Sequence, residues 1–302
     1  MDNGATVPPE LLDTRIALAH RFFRDSISAW ADLSGDAAAS RSRLAALSEV
    51  LQQRLQIVAI DLSGTDDDQL IFETLNDRGT PLLAADLIKN YVFHRIEDLG
   101  ADVDAWSDHW RDFDDDWWRE QVSQGRLYRS RIDLFLQYWL TMRVKDEIPT
   151  DAVFARFRTY AAEQLSKESA ALPFLRGLRR DADTFRDFAQ LDPRSARGSF
   201  FGLVVEALEL GAFIPLLLWL LSEQHVAAPH QADKALAAVE SWAIRRTLLR
   251  RTMKDVNKLV VALLRELDRH PSERVGDATV EYLLSQTADA RTWPLDKQWR
   301  VE

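Results

Sequence analysis

Cysteine is missing from all 302 residues of the chain. Its absence excludes disulfides, thiolate zinc sites, iron–sulfur clusters and cysteine nucleophiles. A reducing cytoplasm fits that composition. Glycine is scarce, with 11 residues and none clustered, so a Walker-type phosphate loop is excluded. No serine-nucleophile turn appears either. Long apolar runs are lacking. The most apolar stretch, Gly211 to Leu221, falls short of the ~20 residues that a bilayer requires. Glu206 and Glu209 precede it and Pro215 interrupts it, so it reads as a buried core helix rather than a membrane span. The start, Met1 to Pro9, has neither the basic opening nor the apolar stretch of a secretory signal. Positive charge is also in deficit: 38 Lys+Arg face 48 Asp+Glu, a net of −10. That balance argues against binding nucleic acid by bulk charge.

What is there is ordinary for a globular protein, with 46% hydrophobic and 28% charged residues. The charge is unevenly spread. Asp98 to Glu120 holds nine acids against two arginines, and Ser241 to His270 holds eight Lys/Arg against three acids.

Apolar spacing predicts a largely helical chain. Leu12, Ile16, Ala19, Phe23 and Ile27 mark a first helix over Leu11–Leu33, and Leu44, Leu47 and Leu51 mark a second over Arg43–Arg54. Leu55 to Leu62 is short and β-branched, and Ser63-Gly64 ends it; it is the best strand candidate. Asp66 to Asp68 then open a helix through Leu70, Phe72 and Leu75. Thr80-Pro81 reads as an N-cap followed by proline at the first position of another, which carries Leu83, Leu87, Ile88, Tyr91 and Val92. Further helices are expected over Arg129–Arg143, Asp151–Leu165, Ser169–Asp187, Ser199–Leu210, Pro215–Gln224, Gln231–Leu248, Lys254–Arg269 and Asp277–Gln286. No second strand has comparable credentials. A lone strand leaves its backbone groups without a partner, so the chain reads either as incomplete on its N-terminal side or as holding strands that its pattern does not reveal.

The most informative stretch is Phe72-Glu73-Thr74-Leu75-Asn76-Asp77-Arg78-Gly79-Thr80-Pro81-Leu82, followed by Ala85-Asp86-Leu87-Ile88-Lys89-Asn90. It reads as helix, polar turn, helix. Gly79 can take the positive φ of a reversal. Asn76 and Arg78 fall beside the free N–H groups of the second helix, which favour an anion. Arg78 adds a forked donor suited to phosphate. Asp86 and Lys89, three apart, share a face of that helix, where Asp86 would hold the turn or Lys89. A plainer reading of the same residues is a structural joint, with Asn76 capping a helix and Arg78 paired to Asp77 or Asp86.

At these residues the chain resembles the N-terminal domain of GmrSD-type modification-dependent restriction endonucleases. The shared pattern is Phe-Glu-x-Leu-Asn-x-Arg-Gly, then a leucine, then Asp-Leu-Ile-Lys-Asn. The preceding strand Leu55–Leu62 and the later run Arg131-Ile132-Asp133-Leu134-Phe135-Leu136-Gln137-Tyr138-Trp139 fit the same domain, and the segment Arg245 to Lys258 resembles the family's arginine-pair helix and following turn. The resemblance implies a ParB/sulfiredoxin-like domain that handles a nucleoside triphosphate with Mg2+, then a helical region, then a His-Asn-His nuclease domain. It also implies a role in bacterial defence against phage DNA. It places Asn76, Arg78, Gly79, Asp86 and Lys89 at the nucleotide. The family's first signature, Asp-Gly-Gln-Gln-Arg, is not found; Gln52-Gln53-Arg54 echoes it only in part and in the wrong order. No nuclease constellation follows Pro271.

Three other clusters stand out. Arg246, Arg250, Lys254 and Lys258 are four apart, with Arg245 and Arg251 alongside. On an unbroken helix they would form a stripe able to meet DNA phosphates; Thr252 is a candidate break in that helix, and the alternative is that these cations pair with the acidic window. Arg126, Arg129 and Arg131 beside Tyr128 form a weaker candidate. Asp108, His109, Asp112 and Asp116 could ligate a metal, but with Trp106, Trp110, Trp117 and Trp118 among them an acidic docking face is the plainer reading.

The expected fold is mainly α: a residual α+β piece of a ParB/sulfiredoxin-like domain over 1–100, then a helical bundle over 101–302. The expected function is a cytoplasmic fragment of a GmrSD-like DNA-defence protein, not catalytic alone and not membrane-bound. Its partners would be DNA and a protein supplying the missing domains. The competing class is a non-enzymatic helical module that docks such a partner.

Overall fold

A computed structural model describes residues 14–32, 35–55, 83–101, 107, 109–124, 127–222 and 227–296. The chain forms two compact units, residues 1–72 and 73–302. The fold is mainly α, as expected.

In the first unit, α1 (Arg15–Ala31) starts at Thr14, whose side-chain oxygen accepts the Ala17 N–H. Asp36 caps α2 (Ala37–Glu49) by accepting the Ala38 N–H at 2.9 Å. A π-helical turn, Val50–Arg54, follows. Arg43 donates to the carbonyls of Trp30 and Ala31, where the last turn of α1 lacks partners of its own. Beyond Leu55, the strand candidate lies outside the described residues.

The second unit opens with α3 (Ala84–Asp98). A 3-10 turn at Asp112–Asp114, α4 (Asp116–Arg119) and an antiparallel hairpin of β1 (Gln121–Gln124) and β2 (Leu127–Ser130) come next. Then follow α5 (Arg131–Val144), α6 (Val153–Gln164) and α7 (Glu168–Asp187). A short α8 (Ala196–Phe200) runs into a π-helical stretch, Phe201–Ala207. The unit closes with α9 (Ile214–Leu221), α10 (Pro229–Leu248), α11 (Val256–Leu267) and α12 (Val275–Leu284).

The hairpin corrects the expectation that no second strand was legible. Arg129, assigned by its sequence to a helix, sits on β2 opposite Val122. Ser130 then caps α5 by accepting the Asp133 N–H. The run Gly211 to Leu221 is core as expected, with Leu216, Leu217 and Leu218 fully buried. Among the described residues no helix is long and apolar enough to cross a membrane.

Two tryptophans of the acidic window belong to the core rather than to a docking face, and Trp106 lies outside the described residues. Trp110 and Trp118 are buried, and Phe113, Phe135 and Phe185 pack around them with ring centroids 5.0 to 6.1 Å apart. Burying two indoles is worth several kcal/mol, far more than a surface patch would gain. Its carboxylates face cations of the same unit: Asp112 meets Arg179 at 3.0 Å and Asp115 meets Arg186 at 3.9 Å. Glu120 meets Arg131. No group of three metal-ligating side chains converges among the described residues.

At the centre of the unit, Asp181 on α7 is almost fully buried. It accepts from Trp139 Nε1 at 2.8 Å, Ser222 Oγ at 2.9 Å and the Arg143 guanidinium, so a buried charge has its lone pairs satisfied. Further along, Gln231 Oε1 accepts the Gly276 and Asp277 N–H groups and ties the start of α12 to the start of α10. The segment after α12 returns along α10. Trp242 Nε1 donates to the Arg291 carbonyl at 2.8 Å.

Candidate functional site

Asn76, Arg78 and Gly79, with the Thr80-Pro81 cap, lie outside the described residues. Asp86 and Lys89 are described, and both stand on the first two turns of α3.

Leu83, the N-cap of α3, has no side-chain oxygen to offer. The free N–H groups therefore need another acceptor. Asp133 on α5 supplies it: its Oδ1 accepts the Ala85 N–H at 3.0 Å. Burial pushes the Asp133 carboxyl above its ordinary range; the Ala85 N–H, Ser130 and nearby Arg129 oppose that only in part. The helix start is thus held from 48 residues away in sequence. On its other side α3 buries Ile88, Val92 and Ile96. Tyr91 meets Phe154 of α6 with ring centroids 6.4 Å apart, and Arg95 donates to the Leu165 carbonyl.

Asp86 and Lys89 do not pair with each other. A second carboxylate and a second cation come between them. Arg119 donates through NH1 to Asp86 Oδ1 at 2.7 Å and through NH2 to Asp114 Oδ1 at 2.6 Å. Lys89 Nζ donates to Asp114 Oδ2 at 2.6 Å. The result is a chain Asp86–Arg119–Asp114–Lys89 with zero net charge, one end of which is a lysine about a third exposed. Burial works against the charged form of Asp114, but the bonds from Lys89 and Arg119 outweigh it and hold the carboxyl below its usual range. Burial likewise opposes the charge on Arg119, and its two carboxylates more than restore it. Neither Asp114 nor Arg119 was picked out by sequence, because nothing local shows that they meet α3.

The basic stripe is broken. α10 ends at Leu248, and Arg250 takes a left-handed conformation, φ 51°. The Arg250 N–H reaches the Thr247 carbonyl at 3.0 Å and the Arg251 N–H the Arg246 carbonyl at 2.8 Å, a Schellman end. Arg246 is a correction: it is 1% exposed, and its guanidinium donates to the carbonyls of Thr292 at 2.7 Å and Thr252 at 2.6 Å. It braces the returning segment and cannot reach a phosphate. Arg245 binds Asp296 at 2.5 Å and the Pro294 carbonyl, and Arg251 lies 3.5 Å from Asp289. These carboxylates are not those of the acidic window. Arg250, Lys254 and Lys258 are exposed, with no carboxylate partner among the described residues. Of the weaker cluster, Arg126 lies outside the described residues, Arg129 is buried and bonded to Gln137, and Arg131 holds Glu120 and the Trp117 carbonyl.

Residues 8–93 match the family model described as GmrSD restriction endonuclease, N-terminal domain. No curated protein and no solved structure matches the chain. The N-terminal part of the chain is thus similar to a GmrSD-type N-terminal domain, in agreement with the resemblance of Phe72 to Asn90. The match ends at Phe93, within α3. Asp86 and Lys89 fall inside it, while Asp114, Arg119 and Asp133, which hold that helix, fall outside.

Proposed function

We propose that the chain is the nucleotide-handling and DNA-associated part of a GmrSD-like restriction system acting against phage DNA in the cytoplasm. The nucleotide-handling part runs over residues 1–100 and the helical part over 101–302. The family match over residues 8–93 carries this reading, because it contains the whole Phe72 to Asn90 signature. Asn76, Arg78 and Gly79 would form the turn at the phosphates, with Asp86 and Lys89 on the helix that follows.

The group implied is a nucleoside triphosphate with Mg2+, and the described residues fit it. Lys89 and Arg119 are cations in one network; Asp86 and Asp114 are hard oxygen donors of the kind magnesium takes. An ion pair as exposed as Lys89–Asp114 is worth about 1 kcal/mol or less, so Lys89 can exchange its carboxylate for a phosphate. Magnesium, when bound, offsets the phosphate charge. Exposed Arg250, Lys254 and Lys258 would meet the DNA backbone. A nuclease partner would cut the phosphodiester, since no His-Asn-His constellation is legible among the six histidines.

Titration calorimetry of the full chain with ATP, GTP, CTP and UTP in magnesium tests this. One of the four binds, and Arg78→Ala and Lys89→Ala each weaken it at least tenfold. Absence of binding to all four, or binding indifferent to Arg78→Ala, removes the nucleotide reading. Steady hydrolysis that Arg78→Ala abolishes would show instead that the chain is catalytic by itself.

A further inference from the structure

Away from α3, the helical unit holds a cavity of about 500 Å3 with five aromatic rings in its lining. Trp117 of α4, Tyr138 of α5, Phe185 of α7 and Phe188 just beyond it contribute, and Phe201 closes the wall from the π-helical stretch. Phe185 lies 6.5 Å from Trp117, 6.5 Å from Tyr138 and 5.9 Å from Phe188 between ring centroids; Phe188 lies 5.7 Å from Phe201. This is the size and lining of a small-molecule site rather than of a packing fault.

Two carboxylates, Glu206 and Glu209, stand on this lining, exposed and with no cationic partner among the described residues. The backbone that presents them is unusual twice over. Glu206 lies on the π-helical stretch, a form that is rare and concentrated at functional sites. Glu209 has φ 55°, in the left-handed position that ends a helix and that glycine normally fills. Its N–H reaches the Glu206 carbonyl, and the Leu210 N–H reaches Val204. A glycine there would cost less strain, so the acid is kept at some expense in stability. The ring wall already attracts cations: the guanidinium groups of Arg131 and Arg186 lie 4.7 and 5.1 Å from the centre of the Trp117 ring. Arg131 is neutralised by Glu120, so the two free carboxylates set the sign of the cavity.

We propose that this cavity binds a small planar aromatic cation, its ring stacked among Phe185, Phe188 and Phe201 and its charge facing Glu206 and Glu209. The site is independent of the nucleotide reading. The probe is N-methylacridinium, titrated into the nucleic-acid-free full chain by fluorescence, with acridine, uncharged above neutral pH, as its neutral match. We expect saturable one-to-one binding of the cation and at least tenfold weaker binding of acridine. The double variant Glu206→Gln/Glu209→Gln should lose at least tenfold for the cation and leave acridine unchanged. Phe201→Ala should weaken both. Circular-dichroism melting confirms that each variant folds, and if Phe201→Ala does not, Phe201→Leu replaces it. No saturable binding, equal affinity for the two probes, or indifference to the loss of both carboxylates would each overturn the proposal.

Discussion

Residues 14–55 and residues 83–296 draw on the same apolar residue types and treat them in opposite ways. In the first region Ile16 is 84%, Phe22 65% and Phe23 61% exposed, and Ala31 is the only described residue there that is buried. The second region packs Trp110, Trp118, Trp139 and Trp242 to 2% exposure or less. Helical spacing alone therefore says which face of a helix is apolar, and not whether that face is covered. In α2 the lesson is sharper still, since none of its residues is buried.

The strongest way to break this contrast is truncation. Trp118→Ala should destabilise by about 3–5 kcal/mol, as for any large aromatic removed from a packed core. Phe22→Ala should stay within about 0.5 kcal/mol, as for a surface change. Urea denaturation of both variants checks the pair, and comparable losses would mean that α1 is covered in solution. Next comes Arg246→Leu, which leaves the Thr292 and Thr252 carbonyls without their donor. A loss of about 1–3 kcal/mol is expected by the same measurement. An unchanged midpoint would show that the guanidinium is not the brace.

The smallest effect separates two aspartates within the second region. The Asp114 carboxyl is held below its ordinary value of 3.8 by Lys89 and Arg119, so its contribution is present above that value and fades as pH falls toward the folded one. Asp133 is the reverse case: burial raises it above 3.8, so stability is lost as pH rises through its folded value. Asp114→Asn should therefore melt slightly below the parent at neutral pH, and the gap should close below about pH 4, near the ordinary aspartate value. A gap that persists unchanged into acid would assign the loss to packing instead.

Much of this architecture was legible along the chain. Helices α1, α5, α7, α10 and α12 fall close to where apolar spacing put them, and the Phe72 to Asn90 signature led to the matched domain. What was hidden depends on distant partners or on a missing cue. The hairpin is only four residues a side and polar, with Gly125 as its one signal. The end of α10 carries Arg250 where glycine would have announced a stop, so the basic residues looked continuous. Asp114, Arg119 and Asp133 reach α3 across 25, 33 and 48 residues, and no local pattern encodes such a meeting. The tryptophans of the acidic window looked like a surface because charge surrounds them in sequence, while in space Trp110 and Trp118 are buried against phenylalanines.

The last third of the chain carries a consequence of its own. Gln231 fastens one end of α10 to the head of α12, while Trp242, Arg245 and Arg246 fasten the other end to the carbonyls of 291, 292 and 294. Helix, helix and return strap are thereby closed into a loop with a clasp at each pole. Amide hydrogens along that circuit should exchange with solvent in unison, as one block that opens whole or not at all.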